Sequence, residues 1–258
     1  MKGRITMRRF IGVVLILIFL SFTVGATPIR KPRGFNGQMY DGTLALYAEI
    51  HGSTRFVCTA EPFERIFGGY HLMSAGHCVQ KIPDGVRFFV SDEIGGDTTP
   101  VTVMKAYDGD GLDFSEFELK TAKKYPVFVL GDESGSRVGD MIVNPNFAEG
   151  LGKQLSLGTI SSRPLVESEA CPAGSCAGSF LIQTYGGSGA SGSAVFSIKT
   201  HKIIGVVDWQ YDDPIGFGVI PISKFFEFLV RPGQPHPAEK DGTPKSPETE
   251  QEHDPDGH

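Results

Sequence analysis

Three side chains that together could carry out acyl transfer are spread along this chain: His77 in SAGHC, Asp113 in DFSEFEL and Ser191 in GASGSAVF. A serine hydroxyl is a weak nucleophile near neutral pH. It needs an imidazole to take its proton, and the imidazole needs a carboxylate that fixes its tautomer and orientation. Small residues around the serine let backbone N–H groups approach a substrate carbonyl and stabilise the charge that develops on its oxygen. The run GGSGASGS offers such a backbone, and Ser188 within it competes with Ser191 for the role. Taken singly, a histidine beside a cysteine reads as structural and a glycine–serine run as a flexible loop. It is the set of three, with strand-like segments between them, that points to a reaction.

The stretch around Asp113, DGDGLDFSEFEL, invites a different chemistry, because it resembles a calcium loop. Such a loop needs oxygen ligands at its first, third and fifth positions, glycine at the sixth and glutamate at the twelfth. A count from Asp108 puts Asp113 at the sixth position and Leu119 at the twelfth; a count from Ala106 restores the glycine but ends on Phe117. The flanks VTVMKAY and YPVFVL are strand-like where helices are required. The calcium reading therefore fails, and DGDG reads as an acidic turn that leaves Asp113 at the head of the next strand. Asp108 and Asp110 compete with Asp113, but neither leads directly into a strand pattern.

These residues must be held by a scaffold, and the 258-residue, 40% hydrophobic chain is large enough to bury one. Residues 1–26 carry Lys2, Arg4, Arg8 and Arg9, then the apolar FIGVVLILIFLSFTVGA, a secretory signal with Val24 and Ala26 suited to a cleavage site; an uncleaved anchor is the alternative. The chain is thus expected to be secreted or periplasmic. Loss of those four cations takes Lys+Arg from 24 to 20 against 30 acidic residues, a net charge of −10, which argues against nucleic acid as a partner. Residues 27–38 form a Pro- and Gly-rich, extended lead-in, and residues 231–258, with six prolines and few apolar side chains, a disordered tail. Between them TLALYAEI, VRFFV, VTVMKAY, YPVFVL, MIVNP, SFLIQTY, SAVFSI and KIIGVVDW predict short strands, followed by a helix at SKFFEFLV. Many short strands at regular spacing predict an all-β sandwich or barrel pair. Four cysteines in an exported chain predict two disulfides; of three pairings, Cys58–Cys78 and Cys171–Cys176 are preferred, the second closing the loop CPAGSC.

SAGHC resembles the TAAHC motif of chymotrypsin-like serine proteases, GASGSAVF their GDSGGP motif, and DFSEFEL their DIALLKL pattern. IIGVVDWQY resembles the GIVSWG strand of the substrate cleft, and VGDMIVNPNFAEGLGKQLSLGTISS and GFGVIPISKFFEFL resemble segments of bacterial Deg/HtrA-type relatives. The order His77, Asp113, Ser191 is the family's order, with somewhat compact separations of 36 and 78 residues. The resemblance covers nearly all of residues 39–230. It implies an all-β fold of two six-stranded antiparallel β-barrels, about 39–124 and 125–230, with a short C-terminal helix. It implies a serine endopeptidase in which Ser191 attacks, His77 transfers the proton, Asp113 orients His77, and the N–H groups of Gly189 and Ser191 form an oxyanion hole. A disulfide beside the catalytic histidine is a family feature that Cys58 and Cys78 match. Tyr185 and Gly186 align with the base of the specificity pocket, beside Asp208 and Trp209, and Gln210 and Gly218 with its walls. No carboxylate is placed to select Lys or Arg, and an apolar residue before the scissile bond is expected. Such chemistry implies no cofactor and no metal; the expected partner is a protein or peptide substrate, with no membrane contact after signal removal, and the expected state is a monomer.

Three departures stand out. Ala190 replaces the aspartate that pairs with a new N-terminus in zymogen-activated members, and no IVGG-like start lies near residue 36, so competence after signal removal alone is implied. Asp208 stands where relatives carry a serine that hydrogen-bonds the catalytic aspartate. A second carboxylate there would repel the first and raise a pKa. That makes a catalytically impaired, protease-like binding domain the serious alternative. An α/β-hydrolase esterase is weaker, because its GxSxG motif and Ser–Asp–His order are both unmet.

Overall fold

The computed structural model describes residues 33–83, 85–162, 178–210 and 216–231. The signal, the Cys171–Cys176 pair and the tail lie outside these residues. Within them the strands close into two six-stranded antiparallel barrels. The first contains β1 (Leu44–Ile50), β2 (Ser53–Ile66), β3 (Gly69–Ser74), β4 (Phe88–Ser91), β5 (Thr99–Gly109) and β6 (Leu112–Lys120), in the order β1-β2-β3-β6-β5-β4. The second contains β7 (Met141–Asn146), β8 (Gln154–Ile160), β9 (Phe180–Thr184), β10 (Ala194–Ser197), β11 (Ile203–Gln210) and β12 (Gly216–Pro221), in the order β10-β11-β12-β9-β8-β7. Closure removes the exposed strand edges that an open sheet would present.

Each barrel encloses its own apolar filling. Leu44, Leu46, Leu72, Val90, Phe117 and Leu119 fill the first, and Ile142, Ile182, Val195, Val207, Phe217 and Val219 the second. A third cluster joins residues of both barrels, among them Met73, Leu112 and Phe114 from the first and Phe196, Val206 and Ile220 from the second. Strand β6 thus faces two cores: Phe117 and Leu119 point into its own barrel, while Leu112 and Phe114, which flank Asp113, pack into the junction. Asp113 is thereby held at the seam between barrels by apolar neighbours on both sides in sequence. The C-terminal helix, here α3 (Ile222–Val230), closes the junction, with Phe225 edge-on to Phe63 at 5.0 Å and to Phe114 at 5.2 Å.

Two expectations need correction. The lead-in is not extended up to residue 38: helix α1 runs over Phe35–Gly42, because Met39 is fully buried in the junction cluster and Phe35 packs on Phe196 and His201. The segment YPVFVL is no strand either. Pro126 lacks an N–H, and the chain here crosses from one barrel to the other, bonding Phe128 N–H to the Pro62 carbonyl and meeting Ile203 in a single parallel bridge at Leu130. Conversely, β2, β3 and β8 are absent from the predicted strand runs; β2 carries Pro62 and a bulge beside it, which blur its alternation. Among the described residues no helix is long and apolar enough to cross a membrane.

Candidate active site

His77 opens the short helix α2 (His77–Gln80), which Cys78 ties to β2 through its disulfide with Cys58, the Cα atoms 6.2 Å apart. Asp113, one residue into β6, grips His77 twice: Oδ1 accepts the backbone N–H at 2.6 Å and Oδ2 meets ring Nδ1 at 2.5 Å. The two-residue turn Asp110–Gly111, both at positive φ, is what lets β5 reverse into β6 and set Asp113 opposite Asp108. Asp113 is 1% exposed and the His77 side chain 19%. Burial pushes the Asp113 carboxyl up, but its hydrogen bond with His77 and the nearby imidazolium charge hold it below the usual aspartate value.

Ser191 sits in the turn before β10. The turn is closed by Ala190 N–H to the Gly187 carbonyl and Ser193 N–H to the Ala190 carbonyl, both 3.0 Å. Gly192 (φ 82) donates to the Val207 carbonyl, and a Cβ on it would fall 2.1 Å from Ser74 Oγ. Gly189 (φ 89) is equally committed, since a Cβ there would lie 2.2 Å from the Phe56 ring. Among the described residues, the N–H groups of Gly189 and Ser191 donate to no acceptor. The Ser191 hydroxyl donates to the Asp208 backbone carbonyl at 3.2 Å.

His77, Ser191 and Gly189 line one cavity of about 490 Å3, with Val207, Asp208, Trp209, Gln210 and Phe217 among its other walls. Asp113 lies behind His77. Of the residues expected to shape the pocket, Asp208, Trp209 and Gln210 do line this cavity, whereas Tyr185, Gly186 and Gly218 do not. Tyr185 is 56% exposed. Gly186 lies against the Phe217 ring and Gly218 against the Trp209 indole, as a Cβ on either would come within 2.6 Å of those rings. These glycines make room for the two aromatic walls. Phe217 was not foreseen; it belongs to the apolar filling of the second barrel and reaches the cavity from there.

Two further residues were missed. Thr59, on β2, reaches across the cleft: its hydroxyl donates to the Gly189 carbonyl at 2.8 Å and its N–H to the Ser191 carbonyl at 2.9 Å. Glu149 grips the same loop from the other side, its Oε1 accepting Ser188 N–H at 2.9 Å while its own N–H donates to the Ser188 carbonyl at 2.7 Å.

His77, Asp113 and Asp208 present ligand-type atoms within 4.8 Å of one another. The 2.5 Å between Nδ1 and Asp113 Oδ2 is a hydrogen-bond separation; donors sharing one tetrahedral zinc at about 2.0 Å would stand roughly 3.3 Å apart. Cys58 and Cys78, also near His77, have their sulfurs bonded to each other and offer no thiolate.

Two closed antiparallel six-stranded barrels with His77, Asp113 and Ser191 gathered at their seam define a chymotrypsin-like fold. The trypsin-like peptidase domain family matches residues 64–206, more than half of the chain, and the chain belongs to that family of serine peptidases. No curated protein matches the chain in sequence. Solved structures of similar fold include the HtrA-type protease AlgW with a tripeptide, at 19% identity, TM-score 0.59, over 76% of this chain and 61% of that one. AlgW with a decapeptide aligns at 15% identity and TM-score 0.59, over 76% of this chain and 65% of that one. Rv3671c from M. tuberculosis H37Rv, a serine-to-alanine mutant in an inactive form, aligns at 14% identity and TM-score 0.58, over 78% of this chain and 91% of that one. The chain therefore spans less than two thirds of the length of AlgW.

Proposed function

We propose that the protein is an exported endopeptidase that hydrolyses peptide bonds through His77, Asp113 and Ser191. The observation that carries this reading is the double grip of Asp113 on His77, in one cavity with a serine whose own N–H, like that of Gly189, donates to no acceptor among the described residues. Ser191 Oγ bonds to the scissile carbonyl carbon as its proton passes to His77 Nε2. Asp113, bonded to Nδ1–H, keeps Nε2 free to accept that proton and stabilises the imidazolium. The N–H groups of Gly189 and Ser191 receive the oxyanion. His77 then protonates the departing amine as the C–N bond breaks, and water, deprotonated by the same imidazole, releases the acyl group from Ser191.

Apart from His77 and Asp208, which face each other, the cavity walls, among them Val207, Trp209, Gln210 and Phe217, bear no formal charge, which favours an uncharged side chain before the scissile bond, and the Phe217 ring across Gly186 favours a modest one. The apolar N-terminal stretch supports export, and with no aspartate at position 190 to pair with a new N-terminus, the enzyme works once the signal is gone, as a monomer. Incubation with a randomised peptide library tests the reading: the native protein cuts and Ser191→Ala does not. Equal cutting by the two, or none by either, overturns it.

A second reading, a protease-like binding domain, draws on one observation: the Ser191 hydroxyl is engaged by the Asp208 carbonyl and not by His77. It predicts tight retention of a peptide with no cleavage.

A further inference from the structure

His77 Nδ1 faces two carboxylates. Asp113 Oδ2 holds it at 2.5 Å, and Asp208 Oδ1 lies 3.5 Å away. Both acids are removed from water, Asp113 to 1% exposure and Asp208 to 7%. The second Asp208 oxygen, Oδ2, is buried and accepts no hydrogen bond among the described residues. Through its carbonyl the same residue takes the Ser191 hydroxyl, so Asp208 touches the histidine with its side chain and the serine with its backbone. Two carboxylates this close in a poorly solvated seam do not both ionise cheaply. Such a pair favours holding one proton between its members, and an imidazole beside two acids gives up its own proton late.

We propose that Asp208 is a positioning residue that clamps His77 together with Asp113 and thereby shifts catalysis into alkaline solution. This rests on the peptidase reading above for its effect on turnover, though not for its effect on His77 itself. The electrostatics run the same way. Burial pulls the His77 imidazolium down, but the hydrogen bonds and charges of Asp113 and Asp208 outweigh it and leave its pKa at about 9. Burial does most to raise Asp208; His77 opposes, Asp113 adds, and the carboxyl rests at about 8. Among the described residues, the other ionisable groups that act on this cluster are Asp108 on β5, raised by burial and by Asp113, and Lys81 after α2, which acts against that rise. None of these replaces the second carboxylate on Nδ1.

Catalysis needs Nε2 without a proton. The native enzyme therefore gains activity only as the cluster releases its protons through about pH 8 and 9. A neutral residue at position 208 leaves one carboxylate on His77, lowers its proton affinity and brings the rise to lower pH.

The test compares native protein with Asp208→Asn and Asp208→Ser in two measurements. In kcat/KM against pH, the rising limb of both variants should move down by about one unit or more, with kcat/KM at pH 7.5 up about tenfold and KM little changed. In NMR titration of the His77 ring, each variant in a Ser191→Ala background should lose its proton at correspondingly lower pH. A His77 that titrates at the same pH in native and variant, or a native His77 with an ordinary value near 6.5, overturns the proposal; the latter needs no variant to fold. If nothing is cleaved by any form while the His77 titration still moves, the Asp208 proposal stands and the peptidase reading falls.

Discussion

Thr59 on the first barrel holds Gly189 on the second through a 2.8 Å hydrogen bond from its hydroxyl to the Gly189 carbonyl, across 130 residues of sequence. The same hydroxyl accepts the Phe147 N–H at 3.3 Å. The contact locks the peptide between Gly189 and Ala190, and with it the approach of the two N–H groups assigned to the oxyanion. Thr59→Val keeps the shape but strands a buried carbonyl, at about 1–3 kcal/mol. The expected result is a fall in kcat of about tenfold or more with KM little changed, read from steady-state kinetics on one peptide. A loss confined to thermal stability would leave Thr59 as a structural clamp alone.

Phe217 forms the apolar floor of the cavity, its ring against Gly186. Phe217→Ala should open that floor, so that peptides with a large aromatic side chain before the scissile bond gain about tenfold in kcat/KM relative to those with a small one. A matched peptide series measures the ratio. An unchanged ratio would place the specificity pocket elsewhere.

The disulfide between Cys58 and Cys78 spans 20 residues and ends beside His77. Closing a loop of that size contributes about 3 kcal/mol, so the double variant Cys58→Ala, Cys78→Ala should melt about 6–12 °C lower. Because α2 begins at His77, activity should fall at temperatures where the variant is still folded.

Much of this was legible in the sequence, because the chemistry is written in short local patterns. SAGHC joins the end of β3 to the start of α2, GASGSAVF runs through a turn into β10, and the strand after DGDG carries Asp113 at its head. What escaped were relationships made only when the barrels dock. Thr59 meets Gly189 from another barrel, Phe217 joins the cavity wall with its ring against Gly186, and residues 35–42 form a helix whose Met39 is buried in the junction cluster. Position 208 could be singled out as an anomaly, but its meaning depends on a distance to His77 that no spacing reveals.

Glu61 is fully buried, with Thr43 Oγ1 donating to one oxygen and the other without a partner among the described residues. Burial raises its carboxyl well above the usual glutamate value, against smaller lowering by Thr43 and Lys153. A carboxyl raised on folding carries no penalty below its unfolded pKa, near 4.5, and an increasing one as pH rises from there toward its folded value. Glu61→Gln should therefore melt higher than native at pH 8, by about 2–4 °C for each kcal/mol recovered, and show no gain near pH 4. Thermal melts at the two pH values check the sign; a gain at pH 4 that vanished at pH 8 would reverse it.

Covalent labelling tests the central assignment most directly. A fluorophosphonate reacts only with a serine whose hydroxyl is activated by its neighbours. Incubated with the protein near pH 9 and mapped by peptide mass spectrometry, it should form one adduct, on Ser191, which disappears in Ser191→Ala and is strongly slowed in His77→Ala. No adduct, or an adduct on Ser188 that survives Ser191→Ala, would contradict the assignment of Ser191 as the nucleophile.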